Sequence, residues 1–129
     1  MMNIKGKSEN RLAFTLTELM IVVAIIGLLA ALALPNLAKA RDNSRLNTIY
    51  DNLRILGDAK DQWALDNNRA TGAPIADTTV LTDYFRSGGI KDVIKETYVP
   101  NPVGTNAEAD LPATVGLGPY APGAVISAP

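Results

Sequence analysis

The stretch Phe14-Thr15-Leu16-Thr17-Glu18-Leu19-Met20-Ile21-Val22-Val23-Ala24-Ile25-Ile26-Gly27-Leu28-Leu29-Ala30-Ala31-Leu32-Ala33-Leu34-Pro35 decides how the rest of the chain is read. Residues 19–34 form a run of 16 without a polar side chain. Taken back to Phe14, the segment has 21 residues up to Leu34. As a helix it would measure roughly 31 Å, enough to cross a bilayer core. The extension brings in Thr15, Thr17 and Glu18. The threonines can bond back to helix carbonyls at little cost. Glu18 is expensive, because a lone carboxylate in hydrocarbon costs several kcal/mol and intramembrane acids usually have a partner or a function.

Upstream, Lys5, Lys7 and Arg11 stand against Glu9, so the first 13 residues are formally +2. From Phe14 onward the chain is formally −3, for a total of −1 over 129 residues. Three readings fit a basic leader followed by an apolar run. A soluble core helix seldom runs this far without a polar break. An ordinary signal peptide would be cut after the apolar run. Asn36-Leu37-Ala38-Lys39-Ala40 offers such a site, but Glu18 then has no purpose. The third reading keeps the span and gives Glu18 a partner.

Ala13-Phe14-Thr15-Leu16-Thr17-Glu18, the apolar helix with its Gly27, and its end at Pro35-Asn36 resemble the N-terminus of type IV prepilins and type II secretion pseudopilins. The family pattern is Gly, Phe-Thr-Leu-x-Glu, then an apolar helix with a Gly that ends at a Pro. Ala13 stands where Gly is usual. The resemblance implies cleavage between Ala13 and Phe14 by a prepilin peptidase on the cytoplasmic face, followed by N-methylation of Phe14. It makes Glu18 the acid at the fifth mature position, paired with the Phe14 amine of an adjacent subunit. Opposite charges in low dielectric attract strongly and offset each other's desolvation. A shifted register would leave a buried charge alone. Gly27 costs a soluble helix about 1 kcal/mol against Ala, but in a bundle it allows close helix contact. Pro35 removes a backbone donor and is expected to kink the helix. Lys39, Arg41 and Arg45 beyond the span oppose the leader's charge, so topology follows from the resemblance: N-terminus cytoplasmic, head periplasmic, subunit held in the bacterial inner membrane before it joins a periplasmic filament.

From Leu37 the chain turns amphipathic. Leu46, Ile49, Tyr50, Leu53, Leu56, Ala59, Trp63 and Ala64 recur at helical spacing, with Asp42, Arg45, Asp51, Arg54, Asp58 and Asp61 on the other face. Asn67-Asn68 and Thr71-Gly72 are expected to stop this helix. The stripe needs a cover, which must come from residues 70–129. There, Asp77-Thr78-Thr79 before Val80-Leu81-Thr82-Asp83-Tyr84-Phe85 predicts a capped short helix, ended by Ser87-Gly88-Gly89. Strands are expected at 95–99, 113–117 and 124–126. The expected fold is therefore α+β and pilin-like, in four parts: a leader (1–13), a membrane helix (14–35), an amphipathic helix (36–68), and a small loop-rich head (69–129) with few antiparallel strands.

Asn52-Leu53-Arg54 with Ala59-Lys60-Asp61-Gln62-Trp63-Ala64-Leu65-Asp66-Asn67-Asn68 resembles the segment after the membrane helix in small pseudopilin-like secretion proteins. Those relatives often end in a hairpin with Cys-Pro and Gly-Gly elements. This chain has no Cys, so its C-terminal third departs from them. With no Cys and no His, it lacks disulfides, thiol chemistry and the usual zinc ligands. It also shows no nucleophile–base pair. Major pseudopilins commonly bind calcium in a C-terminal loop, an ion that wants six to eight oxygens. Here Glu108 and Asp110 are the only acids after residue 96. No cofactor is expected, with calcium the one candidate. A net charge of −1 gives no reason to expect nucleic acid as a partner.

The resemblance implies a non-catalytic subunit of a type II secretion pseudopilus. Its partners would be copies of itself, prepilin peptidase, inner-membrane assembly proteins and lipid. Glu18 argues against a tip-initiating minor pseudopilin, in which the acid is typically absent. The alternatives are a type IV pilus subunit for adhesion, motility or DNA uptake, and a membrane-anchored binding module using a loop such as 124–129.

Overall fold

The computed structural model describes residues 14–86 and 89–128. The expected leader with Ala13 lies outside the described residues, as do Ser87 and Gly88 of the expected helix stop. The chain divides into two units, Met1–Leu37 and Ala38–Pro129.

One helix, α1, runs Leu16–Asp66 and contributes to both units. Its first half has no intrachain cover: every residue from 14 to 41 is exposed. It is long and apolar enough to cross a membrane. α1 continues unbroken through Pro35. Proline has no N–H for the Ala31 carbonyl, and one residue along the Asn36 side-chain amide donates to the Leu32 carbonyl at 3.4 Å.

In the second unit the apolar stripe works as its spacing requires. Leu46, Ile49, Leu53, Leu56, Ala59 and Ala64 are buried, while Tyr50 and Trp63 are half-buried at its margins. The helix ends in a Schellman turn. The Arg69 N–H donates to the Ala64 carbonyl at 2.8 Å and the Asn68 N–H to that of Leu65 at 3.3 Å. Asn68 supplies the left-handed residue at φ 49°. The Arg69 guanidinium then lies 5.8 Å from the Trp63 ring centroid, a cation–π contact that closes the turn.

The chain returns over the stripe. A 3₁₀ helix, Thr78–Tyr84, starts at Asp77, whose carboxylate accepts from the Thr79 N–H at 2.7 Å and from the Thr79 hydroxyl. This is the expected cap in a tighter helix, and it buries Leu81. Three short strands follow: β1 (Thr97–Val99), β2 (Glu108–Asp110) and β3 (Val125–Ser127). They form an antiparallel sheet in the order β1-β2-β3, with Tyr98 opposite Ala109 and Ala109 opposite Ile126. Ala107, Ala109, Leu111, Leu117 and Ile126 join Leu81 and the α1 stripe in one core. The architecture is an α+β pilin-like fold.

One strand expectation is wrong. Residues 113–117 are turn, apart from an isolated bridge between Leu117 and Tyr120. The middle strand lies earlier, at Glu108–Asp110. Pro112 redirects the chain, because its carbonyl accepts the N–H groups of both Val115 and Gly123 at 3.2 and 3.0 Å. β2 consists of Glu, Ala and Asp, types depleted in strands. Its place is set by the partners on either side, and Ala109 is buried in the core shared with the α1 stripe. The first and last strands form near their expected positions, shifted by one or two residues.

Candidate processing and assembly site

The expected site residues sit on one helix. Phe14 precedes α1 and is exposed. Thr15 and Glu18 form a capping box at the helix start. The Glu18 N–H donates to Thr15 Oγ1 at 3.2 Å. In return, Glu18 Oε2 accepts from the Thr15 N–H at 2.9 Å and the Thr15 hydroxyl at 2.8 Å. The reciprocal pattern satisfies helix-end donors that would otherwise lack partners. The Thr15 hydroxyl, free by type to bond back to a helix carbonyl, serves the Glu18 carboxylate instead. Thr15-x-x-Glu18 is itself a capping-box signature, so that signal was present.

Glu18 thus has a partner within its own chain. In the isolated chain its carboxylate is tied to the backbone next to Phe14, where the resemblance places the cut. An amine freed at Phe14 would appear one residue before a donor already in contact with Glu18. The positive end of the helix dipole adds to the attraction for the carboxylate.

Gly27 and Pro35 are not brought to this cluster. They lie nine and seventeen residues beyond Glu18, roughly 14 and 26 Å along a helix. A Cβ on Gly27 would meet nothing within 4 Å. The chain's own packing therefore gives no reason for glycine there. Glu18 is the only acid between Phe14 and Arg41.

The second unit holds two buried charged groups that sequence reading did not single out. Lys60 is 2% exposed, and its Nζ donates to the Thr105 carbonyl at 2.6 Å. Burial pushes its ammonium below the ordinary lysine range, and Asp61 opposes the shift. Glu96 is 5% exposed. Its carboxylate accepts the Val93 N–H at 2.9 and 3.0 Å, the Ile94 N–H at 2.8 Å and the Tyr98 hydroxyl at 2.7 Å. Burial pushes the Glu96 carboxyl up, but the Ile94 N–H, the Tyr98 hydroxyl and the Val93 N–H together hold it below its ordinary value. Burial, with Glu96 adding to it, raises the Tyr98 hydroxyl. The Asn52 amide donates to Tyr98 Oη at 2.8 Å and to the Lys91 carbonyl at 3.0 Å, which ties this loop to α1. These groups are structural pins. Among the described residues, no three potential metal ligands cluster.

Helix, exposed apolar half and N-terminal acid together define a class. Fold and motif resemble those of type IV pilins and type II secretion pseudopilins. Residues 10–34 match the prokaryotic N-terminal methylation motif. The chain is 35% identical over 63 residues to the type II secretion system core protein G of Klebsiella michiganensis, covering 49% of this chain and 44% of that protein. It is 40% identical over 68 residues to the type IV major pilin protein PilA of Myxococcus xanthus, covering 53% and 31% respectively. It is 39% identical over 63 residues to the type IV wide pilus major component PilA4 of Thermus thermophilus, covering 49% and 48%. The matched region thus spans less than half the length of each of these relatives. No solved structure matches the chain.

Proposed function

We propose that this protein is a structural subunit of a type II secretion pseudopilus. Prepilin peptidase cuts between Ala13 and Phe14, Phe14 is N-methylated, and copies of the subunit assemble through the apolar half of α1. The observation that carries this reading is the exposed apolar first half of α1 with a single acid in its first turn. Such a helix is stable only in lipid or against other apolar helices. A lone carboxylate there calls for a cation, and the Phe14 amine is the one that cleavage creates. Similarity to core protein G supports the pseudopilus. Before assembly the subunit sits in the inner membrane with its head in the periplasm. The role is structural and needs no catalytic group. No cofactor is required, and calcium is the one ion to test, by melting the protein with and without a chelator.

The similarity to PilA favours a second reading, a type IV pilus subunit, on the same physics. Secretion and pilus phenotypes of a deletion strain separate the two. A membrane-anchored binding module is the remaining alternative, and it would not need Glu18. The decisive variant is Glu18→Ala. It should insert in the membrane at wild-type level and yield about 100-fold fewer filaments, the scale of losing a partner for a buried charge. Normal filament yield from this variant would refute the charge-pair role.

A further inference from the structure

The solvent face of α1 within the second unit carries Asp51, Ile55, Asp58, Gln62 and Leu65, all exposed and three or four residues apart. Leu65 is 77% exposed, an unusual place for a leucine that nothing covers. Asp61 and Asp66 flank this line; Arg54 lies beside it and Arg86 shares a groove with Ile55, Asp58 and Gln62, so four carboxylates stand against two cations and the face is net negative. Among the described residues, the ion pair the chain makes is Arg45–Asp42 at 3.8 Å, so neither Asp51 nor Asp58 is paired within it.

A second surface has the opposite character. Arg45 of α1 and Lys95 line an open groove of about 510 Å³ whose remaining walls include Val93, Ile94, Pro112 and Val115. Lys95 sits at φ 66°, a left-handed conformation that disfavours a lysine. The buried Glu96 maintains it by gathering the Val93 and Ile94 N–H groups beneath it. The backbone therefore keeps a cation at the groove's edge despite the strain. Asp42 holds Arg45 only through an exposed, long ion pair, which a closer carboxylate can replace.

We propose that this groove receives the carboxylate-bearing face of α1 from a second copy of the chain, with Asp51 and Asp58 meeting Arg45 and Lys95 and with Ile55 covering the apolar walls. Asp51 and Asp58 lie two turns apart, roughly 10 Å, which suits two cations spread along a groove. The two surfaces differ, so the contact is head-to-tail. Such a contact does not close on itself and propagates as an open helical assembly. This inference rests on the filament reading and adds a contact between heads to the one at Glu18. It also explains why Asp51 and Asp58 make no ion pair among the described residues.

The chain has no cysteine, so two introduced ones report unambiguously. Asp58→Cys and Lys95→Cys are made separately and expressed together with Glu18 intact, and the filaments are treated with a short bis-maleimide. A cross-linked dimer is expected in the mixture, and a ladder of multimers from the double variant. Filaments that give no dimer in the mixture would overturn the contact, as would equal dimer from Asp58→Cys alone. In parallel, Lys95→Glu should lower filament yield about tenfold, and Asp58→Lys in the same chain should restore it. An unchanged melting temperature for Lys95→Glu assigns the loss to the surface. If that variant misfolds, the cysteine pair decides. Wild-type protein that forms no filament would sink the filament reading itself, whereas wild-type filaments indifferent to both tests would sink this contact alone.

Discussion

The two halves of α1 are one continuous helix under opposite conditions. From residue 46 onward the chain buries a single apolar stripe against its own return, and the other face is charged. Before residue 42, apolar side chains point outward on every side and the chain covers none of them. Both halves share one helical backbone, so backbone conformation does not explain the difference. The partner does: the second half was built to meet its own head, the first half to meet something that is not this chain. The hydrophobic effect makes that first half unstable in water and stable in lipid or among like helices.

The largest expected effect sharpens this contrast. Leu53→Ala should destabilise the head by about 2–5 kcal/mol in a denaturant melt, because it empties a site in the core. Leu28→Ala on the outward half should shift the same transition by less than about 0.5 kcal/mol, as an exposed position. Equal losses would mean that the membrane half is covered by the chain after all.

Lys60 comes next. Lys60→Ala removes the donor to the Thr105 carbonyl and leaves a gap, a loss of about 1–3 kcal/mol. Lys60→Met keeps the volume without the buried charge and should recover most of it. A neutral Lys60→Ala would show that the amine does not hold the 102–105 turn.

A smaller effect is expected from pH. The Glu96 carboxyl is held below its ordinary 4.5 in the folded head. Its contribution is therefore complete above that value and is lost as pH falls through it toward the folded value. Head stability followed by circular dichroism from pH 7 downward should decline there, and Glu96→Gln should give a flatter curve over the same interval. A parallel decline in both would assign the acid limb to other groups.

The smallest effect has the opposite sign. Gly57 lies inside α1, and a Cβ there meets nothing within 4 Å. Gly57→Ala should stabilise the isolated head by about 0.5–1 kcal/mol through helix propensity. A loss of filaments alongside that gain would mark Gly57 as a point of close approach between copies.

Much of this was legible in the sequence, for physical reasons that differ by segment. The 16-residue apolar run and the 3.6-residue stripe are strong periodic signals, and both elements formed where they pointed. Asp77 announced the short helix because a cap is a local interaction. β2 was illegible. Its Glu-Ala-Asp sequence has no strand propensity of its own, and it pairs because β1 and β3 flank it. Lys60 was hidden by its type rather than its position, since it follows Leu53 and Leu56 at seven and four residues and continues their stripe. Glu96 depends on backbone donors only two and three residues away, but its burial comes from the tertiary fold. At the N-terminus, the cost of Glu18 was readable from composition. Its tie to Thr15 is also written there, as the Thr15-x-x-Glu18 capping box.

A cut just before the exposed half of α1 is tested most directly by the intact mass of the membrane-extracted protein. The expected mass shows loss of residues 1–13 and one added methyl group, with Phe14 as the new terminus beside Glu18. An uncut chain, or a terminus after Ala38 or Ala40, would contradict it.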